Sequence, residues 1–244
     1  MQGRASGTIL GVILGVIFLI LLIVSDRLTQ LPAALSTYAK EIDTLFYVIH
    51  YIAAFVFVLV TVLLFGFAIR YRQQPGRRAV YTHGSTTLEL IWTIIPTLVF
   101  VLLFLVGQST WAKVKMFPPP GDVEVRLIAK QFAWEFHYPG PDGKFDTADD
   151  LQIDGELHVP VHKKVRVYLQ ARDVIHSFFV PVLRLKQDVL PGREIIAWFE
   201  AIATGRFEIP CAELCGPGHS GMKGWLTIHS AEDYEKWVQE QWPS

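Results

Sequence analysis

The stretch CAELCGPGHSGM, residues 211–222, contains the only two cysteines of the chain, four positions apart. His219 and Met222 follow them in the same stretch, and His176 opens the upstream segment HSFFVP. Thiolate, imidazole and thioether ligands together favour copper, and a mononuclear blue-copper site uses one cysteine, two histidines and a weak methionine. This chain has one cysteine more than that site needs. A second thiolate allows two sulfur atoms to bridge two copper ions.

Two other uses of the cysteines remain open from the residues alone. Cys211 and Cys215 are also compatible with a disulfide, which a periplasmic domain permits. With two histidines they also match a zinc site, because zinc uses the same ligand types. Zinc requires neither Met222 nor the spacing from His176 to Pro181, so the full pattern favours copper.

The composition indicates a membrane protein with a polar second half. Of the 244 residues, 51% are hydrophobic and only 18% are charged, which exceeds the apolar share of an ordinary soluble domain. Two cysteines are too few for a disulfide scaffold, and the chain has no C-x-x-C-H motif for attached haem. Any electron donor is therefore a separate protein. The chain also lacks the basic, aromatic-rich cluster that indicates nucleic-acid binding.

Three apolar runs occupy the first half, at residues 8–24, 45–69 and 87–106. The second and third are long enough to cross a bilayer core, which needs about 20 apolar residues. The first run is shorter, and it suits either a signal peptide or an additional retained helix. Four arginines and no acid lie between the second and third runs, at 70–78, which places that loop in the cytoplasm and the segment after Val106 outside.

Alternating apolar and polar residues begin near Asp122. The pattern covers 123–127, 132–138, 164–169 and 193–199, and it predicts antiparallel strands of a sandwich or barrel. Residues 231–242 predict a short closing helix with Ser230 as its N-cap. The loop at 141–150 is acidic without a complete calcium-loop pattern, so it is either a solvated turn or a docking patch for a basic donor. Acidic residues outnumber basic ones by 19 to 15 in residues 112–244, which favours a basic donor.

The chain resembles subunit II of the haem-copper cytochrome c oxidases, which carries the dinuclear copper centre called CuA. The resemblance covers roughly residues 42–230. It is carried by the elements H-x4-P and C-x-E-x-C-x3-H-x2-M, and by K-x-D-x2-P-G-R at 186–193. It implies a membrane-anchored protein with N-terminal transmembrane helices followed by an all-β, cupredoxin-like sandwich.

We therefore expect four segments in the chain. Residues 1–44 form an apolar leader or extra helix with an outer-side linker, and residues 45–110 form a transmembrane helical hairpin. Residues 111–230 form the periplasmic copper domain, and residues 231–244 form the C-terminal helix. The expected location is the inner membrane of a bacterium, with the copper domain on its outer side.

The resemblance also implies a set of copper ligands. Cys211 and Cys215 are the bridging thiolates, while His176 and His219 each give a nitrogen to one copper ion. Met222 is a weak axial ligand of one ion, and the backbone carbonyl of Glu213 binds the other. In relatives the side chain at the position of Glu213 also reaches a magnesium ion shared with subunit I, since that metal prefers oxygen ligands.

Further roles are implied outside the copper ligands. Glu89 belongs to an E-x2-W-T-x2-P pattern and lies, by the resemblance, at the cytoplasmic mouth of a proton channel of subunit I. Isolated carboxylates within apolar helices are usually functional, although a hydrated carboxylate at the membrane surface is the alternative. The segment with Lys186, Asp188 and Arg193 is expected to contact subunit I.

The aromatic strand differs from the family pattern. Many relatives have Q-W-Y-W, in which the first tryptophan receives electrons from cytochrome c, whereas this chain has Gln131-Phe132-Ala133-Trp134. Phe132 and Trp134 are both candidates for that role, and core packing of one strand face is the alternative. If Trp134 is exposed, it offers the shorter route. If it is buried, the donor approaches over the His219 loop or is held by a partner subunit.

The resulting hypothesis is the CuA subunit of a proton-pumping terminal oxidase. It receives electrons from a separate cytochrome c and passes them to haem a in subunit I, where oxygen is reduced. A quinol oxidase subunit II would lack the copper ligands, and a membrane-anchored copper carrier would need neither Glu89 nor the 186–193 segment. A nitrous-oxide reductase would need a large additional catalytic domain.

Overall fold

The structure is a computed structural model that describes residues 13–18, 20, 24, 27 and 30–242. The predicted apolar run at 8–24 therefore falls largely outside the described residues. The chain divides into two compact units, which are described separately here. One is helical and extends to Gly107, and the other combines Pro32–Asp43 with residues from Gln108 onward.

Two long helices dominate the first unit. Helix α1 is Ala39–Arg70 and helix α2 is Thr86–Trp111, which continues into a π-helical turn at Ala112–Met116. Both are long and apolar enough to cross a membrane, with mean hydropathies of 2.9 and 2.6. The expectation of a membrane-anchored chain is confirmed. Glu89 lies in the first turn of α2, where the unpaired N–H groups of the helix favour a negative charge.

The second unit is built from ten strands. They are β1 Val123–Lys130, β2 Ala133–Tyr138, β3 Leu151–Asp154, β4 Glu156–Pro160, β5 Lys164–Ala171, β6 His176–Val180, β7 Leu185–Val189, β8 Ile195–Glu200, β9 Gly205–Pro210 and β10 Lys223–His229. The sheets have the orders β3-β2-β1-β5-β8, β4-β10-β9 and β6-β7. Alternate residues of β1 and β5 are fully buried, as the period-two pattern predicts.

The expectation of purely antiparallel strands is wrong for two pairs. Strand β1 pairs with β5 in parallel, and β10 pairs with β4 in parallel. A period of two reports which face of a strand is buried, and it carries no information about the direction of the neighbouring strand. The four predicted strand segments coincide with β1, β2, β5 and β8, the other six strands were not predicted, and the β-sheet character of this unit is confirmed.

The segment 32–43, which includes the start of α1, packs on the β-unit. Within residues 32–43, Ser36 Oγ donates a hydrogen bond to the carbonyl of Leu183 at 2.8 Å. Asp43 forms a bidentate ion pair with Arg184 at 2.6 and 2.9 Å. Tyr38 is buried and meets Trp198 edge to face. The outer-side linker expected within residues 1–44 is therefore part of the β-unit rather than a free connection.

Helix α3, Ala231–Gln241, closes the chain. Ser230 caps it, since its hydroxyl oxygen accepts a hydrogen bond from the backbone N–H of Asp233 at 3.1 Å. The predicted helix and its cap are confirmed. Trp237 of α3 stacks on His158, which contacts His229 at 2.9 Å, so these two histidines anchor the helix. Burial lowers the pKa of both histidines, which keeps the pair neutral near pH 7.

Candidate metal centre

Two segments bring the sulfur and nitrogen ligands together. His176 begins β6, and the stretch 211–222 connects β9 to β10. The backbone N–H of Cys211 donates to the carbonyl of Met222 at 3.0 Å, which closes the stretch into a loop. The N–H of Ala212 donates to the carbonyl of Ser177 at 3.0 Å, which fixes the loop against β6. The distant His176 is thereby placed beside the cysteines.

The candidate ligand atoms surround one small volume. The Sγ atoms of Cys211 and Cys215 are 3.9 Å apart, and both thiols are free. Nδ1 of His176 lies 3.9 Å from Cys211 Sγ, and Nδ1 of His219 lies 3.7 Å from Cys215 Sγ. A disulfide requires a sulfur separation of about 2.05 Å, so the two cysteines are not paired in this geometry.

Met222 and Glu213 complete the predicted set. Met222 Sδ is 3.7 Å from Cys215 Sγ and is buried, whereas the carbonyl oxygen of Glu213 is 3.3 Å from Cys211 Sγ. The thioether is thus on the side of one thiol and the carbonyl on the side of the other. The carboxylate of Glu213 belongs to an exposed residue, outside the cluster. The structure therefore brings together all six residues that the sequence predicted.

The cluster is shielded from water. His176 is completely buried, and Cys211, Cys215 and Met222 are nearly so. Burial, and then the neighbouring Cys211, raise the pKa of the Cys215 thiol to about 11. Without a metal, that thiol stays protonated near neutral pH. A metal ion that binds here must displace the proton, because the thiolate is the ligand.

The two aromatic candidates occupy different environments. Trp134 is completely buried, donates from Nε1 to the carbonyl of Ile209 at 3.1 Å, and meets the ring of His176 at 6.0 Å. Phe132 is 39% exposed and lies in the turn before β2, so the expectation that it shares the buried strand face is wrong. Strand β2 begins only at Ala133, where it pairs with Lys130 of β1.

Phe132 lies directly against the metal loop. A Cβ atom built on Gly218 would be 2.5 Å from Cδ2 of Phe132, and one on Gly216 would be 3.2 Å from its Cε1. Gly216 also has a φ of 136°, which side chains rarely tolerate. The glycines of the CGPGH segment therefore allow the loop to approach this ring closely.

The remaining predicted positions are not among the residues of the cluster. Lys186 and Asp188 are exposed on β7, and Arg193 is exposed in the turn that follows. Asp188 accepts a hydrogen bond from Ser177 Oγ at 2.8 Å, so its segment is connected to the strand of His176. Glu89 belongs to the helical unit.

The acidic loop 141–150 does not border the metal loop. Phe132, which contacts the metal loop, precedes the six-residue strand β2, whereas the acidic loop follows that strand. Six residues of a strand span about 20 Å, so the two loops are at opposite ends of β2. Asp146 pairs with Arg126 at 2.7 Å, and Thr147 Oγ1 donates to Asp149 and Asp150. The loop thus satisfies its own polar groups, which fits the interpretation as a solvated turn.

Sequence reasoning missed two residues that touch the site. Asp173 Oδ1 contacts Nε2 of His176 at 2.9 Å, and the side-chain amide of Gln131 donates to the carbonyl of Cys215 at 2.6 Å. Asp173 precedes His176 by three positions, a spacing that could have drawn attention to it. Gln131 carries no local signal, because the loop that it contacts is 84 residues away.

Comparisons with known proteins identify the family of the chain. The family model described as "Cytochrome C oxidase subunit II, periplasmic domain" matches residues 123–228, and the corresponding "transmembrane domain" model matches residues 24–107. The chain is 32% identical to "Alternative cytochrome c oxidase subunit 2" of Bradyrhizobium diazoefficiens, covering 82% of this chain and 80% of that one. It is 30% identical to the Synechocystis "Cytochrome c oxidase subunit 2", covering 88% and 76%.

Two further relatives align over a smaller share of one of the two chains. The subunit 2 of Alkalihalophilus pseudofirmus is 35% identical, with 77% of this chain and 55% of that protein covered. The solved periplasmic domain of subunit II of cytochrome oxidase from Bradyrhizobium japonicum is 32% identical. It aligns with 51% of this chain and 96% of that one, at a TM-score of 0.46.

Proposed function

The chain belongs to the cytochrome c oxidase subunit II family and is a subunit of that oxidase, and we propose that its β-unit holds a dinuclear copper centre. The proposed ligands are His176, Cys211, Cys215, His219, Met222 and the carbonyl of Glu213. The observation that carries the proposal is the arrangement of the two thiols. Their sulfur atoms lie within 4 Å of each other, and each also lies within 4 Å of the Nδ1 atom of a different histidine.

The donor set fits two copper ions better than one zinc ion. Structural zinc sites are tetrahedral and closed by four ligands, usually cysteine or histidine. This cluster offers those four, and it adds a buried thioether and a carbonyl oxygen on opposite sides of the sulfur pair. Thioether and thiolate ligands favour copper. Cys211 and Cys215 would be shared by the two ions, with His176 and the Glu213 carbonyl on the Cys211 side, and His219 and Met222 on the Cys215 side.

Held by Cys211 and Cys215, two copper ions would supply a centre that accepts and releases one electron with little reorganisation. The residues of this chain supply the conditions for it. Burial of His176 and Met222 excludes water from the cluster. The hydrogen bond between Cys211 and Met222 closes the loop, and the bond from Ala212 to Ser177 fixes it against β6. A rigid, dry site of this kind lowers the reorganisation that accompanies each transfer.

The subunit associates with the other oxidase subunits, and we propose its place in the electron path. It receives single electrons from a separate cytochrome c and delivers them to haem a of subunit I, coupled to proton pumping. The arginine-rich loop at 70–78 supports a cytoplasmic position for the loop and an outer, periplasmic position for the β-unit of a bacterial inner membrane.

The proposed function is tested by measuring the metal in the purified full chain. We expect two copper ions per chain after loading, a purple oxidised form, and an electron paramagnetic resonance spectrum of one electron shared by two equivalent copper nuclei. One copper per chain, or zinc alone under conditions that offer both metals, would contradict the proposal.

We further propose that the segment with Lys186, Asp188 and Arg193 contacts subunit I. The exposed carboxylate of Glu213 would bind a magnesium ion at that boundary. Its carbonyl faces Cys211 while its side chain is exposed, so the same residue can serve both metals. Magnesium prefers oxygen ligands and commonly keeps several waters, which suits a single carboxylate at an interface.

Glu89 is proposed to lie at the mouth of a proton channel of subunit I. It stands in the first turn of α2. With the arginine-rich loop in the cytoplasm, this end of the helix would be about 30 Å of membrane away from the outer surface. We expect Glu89→Gln to slow oxygen consumption by the complete oxidase while the copper spectrum stays unchanged, because the variant loses a proton carrier. Thr87→Ala in the same turn serves as the control. Unchanged turnover and proton uptake across the pH range would reject the role.

The point of electron transfer from the donor is proposed to be the surface formed by Phe132 and the His219 loop. Trp134 cannot touch a donor, since it is completely buried, whereas His219 is only partly covered. A donor held over this loop does not depend on one aromatic ring.

We therefore expect Phe132→Ala to slow electron transfer from the native cytochrome by less than about tenfold, or about 1.4 kcal/mol. Rapid-mixing kinetics measure it, and a loss of several hundredfold with copper intact would make Phe132 itself the contact point.

A further inference from the structure

Two ligand-bearing segments of the metal site are tied together by residues that are not ligands. His176 is on β6, and Cys215 is in the loop between β9 and β10. Gln131, in the turn between β1 and β2, contacts both sides of this arrangement, directly at Cys215 and through Asp173 at His176. We propose that Gln131 and Asp173 are positioning residues that fix the geometry, and thereby the reduction potential, of the copper centre. This inference rests on the proposed function.

Asp173 orients the imidazole of His176. Its Oδ1 accepts a hydrogen bond from Nε2 of His176 at 2.9 Å, on the opposite side of the ring from Nδ1, which faces Cys211. A carboxylate on one ring nitrogen fixes the proton there and leaves the other nitrogen free to bind a metal. The ring is completely buried, and Asp173 is the side chain that contacts its Nε2. The carboxylate therefore selects the tautomer in which Nδ1 is the metal ligand.

Gln131 binds the loop on the other side of the cluster. Its side-chain Nε2 donates to the carbonyl oxygen of Cys215 at 2.6 Å. A Cβ atom on Gly216 would be 2.8 Å from the same nitrogen, so the loop backbone lies directly on the amide. Cys215 is the thiol that contacts both His219 and Met222. A shift of the Cys215 backbone would change the distances from its sulfur to both of these ligands.

One residue connects the two contacts. The backbone N–H of Gln131 donates to Asp173 Oδ2 at 2.7 Å, while its side chain holds Cys215. The two carboxylate oxygens of Asp173 thus join the turn to the histidine. The chain of contacts runs from His176 through Asp173 and Gln131 to Cys215, and it spans the site from one thiol to the other.

A buried carboxylate with two partly exposed cationic partners supports this chain of contacts. Glu135 on β2 is 98% buried, and it pairs with Arg172 at 2.6 Å and with Lys130. The N–H of Arg172 also donates to the carbonyl of Ala129 at 2.9 Å. Lys130 directly precedes Gln131, and Arg172 directly precedes Asp173. The contacts of Lys130 and Arg172 therefore fix the backbone next to both positioning residues. Rigid support of this kind distinguishes a positioning pair from two surface hydrogen bonds.

The test compares four variants of the full chain loaded with copper. Gln131→Glu keeps the size of the side chain but removes the N–H donor that faces Cys215. Asp173→Ala removes the partner of His176, and Asp173→Asn keeps one acceptor oxygen. Gln152→Glu on β3 is the matched control, because the Gln152 amide bonds only Asp154, at 3.1 Å, and Gln152 pairs with His137 near the far end of β2.

The measurements are copper content, electron paramagnetic resonance spectrum, reduction potential and the rate of copper loss to a chelator. We expect Gln131→Glu and Asp173→Ala to lose copper about tenfold to a hundredfold faster than the unmodified chain, the range for changes to the partners of metal ligands. Both should also shift the reduction potential and the copper hyperfine pattern. Asp173→Asn should fall between Asp173→Ala and the unmodified chain, and Gln152→Glu should match the unmodified chain.

The outcomes separate this inference from the proposed function. If the unmodified chain does not bind two copper ions, the proposed function fails. If it does, but the Gln131 and Asp173 variants keep its potential, spectrum and copper-release rate within about twofold, the positioning role is overturned. If Asp173→Ala does not fold, Asp173→Asn and Gln131→Glu decide by the same measurements. A uniform loss of copper without any change in the spectrum of the copper that remains would indicate a merely structural role and also overturn the inference.

Discussion

Replacing Cys215 by serine is expected to leave at most one copper ion per chain and to abolish electron transfer through this subunit. The Cys215 sulfur lies between Cys211, His219 and Met222, within 4 Å of a ligand atom of each. A hydroxyl is a far weaker copper ligand than a thiolate, so one remaining sulfur cannot bridge two ions as a pair does. Oxygen consumption by the oxidase with reduced cytochrome c should fall to background, and the two-copper spectrum should disappear.

Ser220→Ala is the control for this change. Ser220 is an exposed residue of the same loop and is not among the proposed ligands, so its variant should keep both copper ions and full turnover. Metal analysis and paramagnetic resonance on the two variants are compared in parallel. A Cys215→Ser chain that retains two coppers and the delocalised spectrum would show that the thiolates do not bridge, and the proposed centre would be wrong.

Replacing Trp134 by alanine is expected to destabilise the β-unit by about 3–5 kcal/mol. The Trp134 ring is completely buried between sheets, with edge contacts to His176 and Phe178 at 6.0 and 6.2 Å. Its removal leaves a cavity and deprives the Ile209 carbonyl of a 3.1 Å hydrogen bond. Amide hydrogen exchange in β1 and β2, measured on the copper-free full chain, should become faster by about two to four orders of magnitude.

Trp134→Phe separates the contribution of the buried ring from that of its hydrogen bond to Ile209. Phenylalanine fills most of the cavity but cannot donate to Ile209, so the expected loss is about 1–3 kcal/mol, the effect of one buried acceptor without a partner. Exchange rates close to those of the unmodified chain in Trp134→Ala would show that the ring is not part of the core. In that case Trp134 would return as a candidate for electron transfer from the donor.

The cluster of proposed ligands could be predicted because five of the six residues lie in one continuous stretch. The spacing of Cys211, Cys215, His219 and Met222 and the resemblance to the oxidase family indicated the set, and the structure brings these side chains together. The membrane helices were predictable for a similar local reason, since length and hydropathy alone decide whether a helix can span a bilayer. The capped helix α3 followed from Ser230 and the acidic residues after it.

Features that depend on distant residues were not predictable. The parallel pairs β1–β5 and β4–β10 join segments far apart in sequence, and alternation does not encode their direction. Phe132 and Trp134 looked equivalent by spacing, yet the turn at Gln131 leaves one ring on the surface while β2 buries the other. The packing of residues 32–43 on the β-unit likewise depends on the distant partners Leu183, Trp198 and Arg184.

The sequence by itself determined the chemistry of the site, because ligand type and spacing are local properties of one loop. It also determined the division into apolar helices and alternating strands, which follows from hydrophobic period. Only the tertiary structure decided what surrounds the ligands. The hydrogen bond from Gln131 to Cys215 spans 84 residues of chain, and the burial of His176 depends on strands from several parts of the sequence. Such contacts arise when the sheets pack together, so no local pattern can encode them.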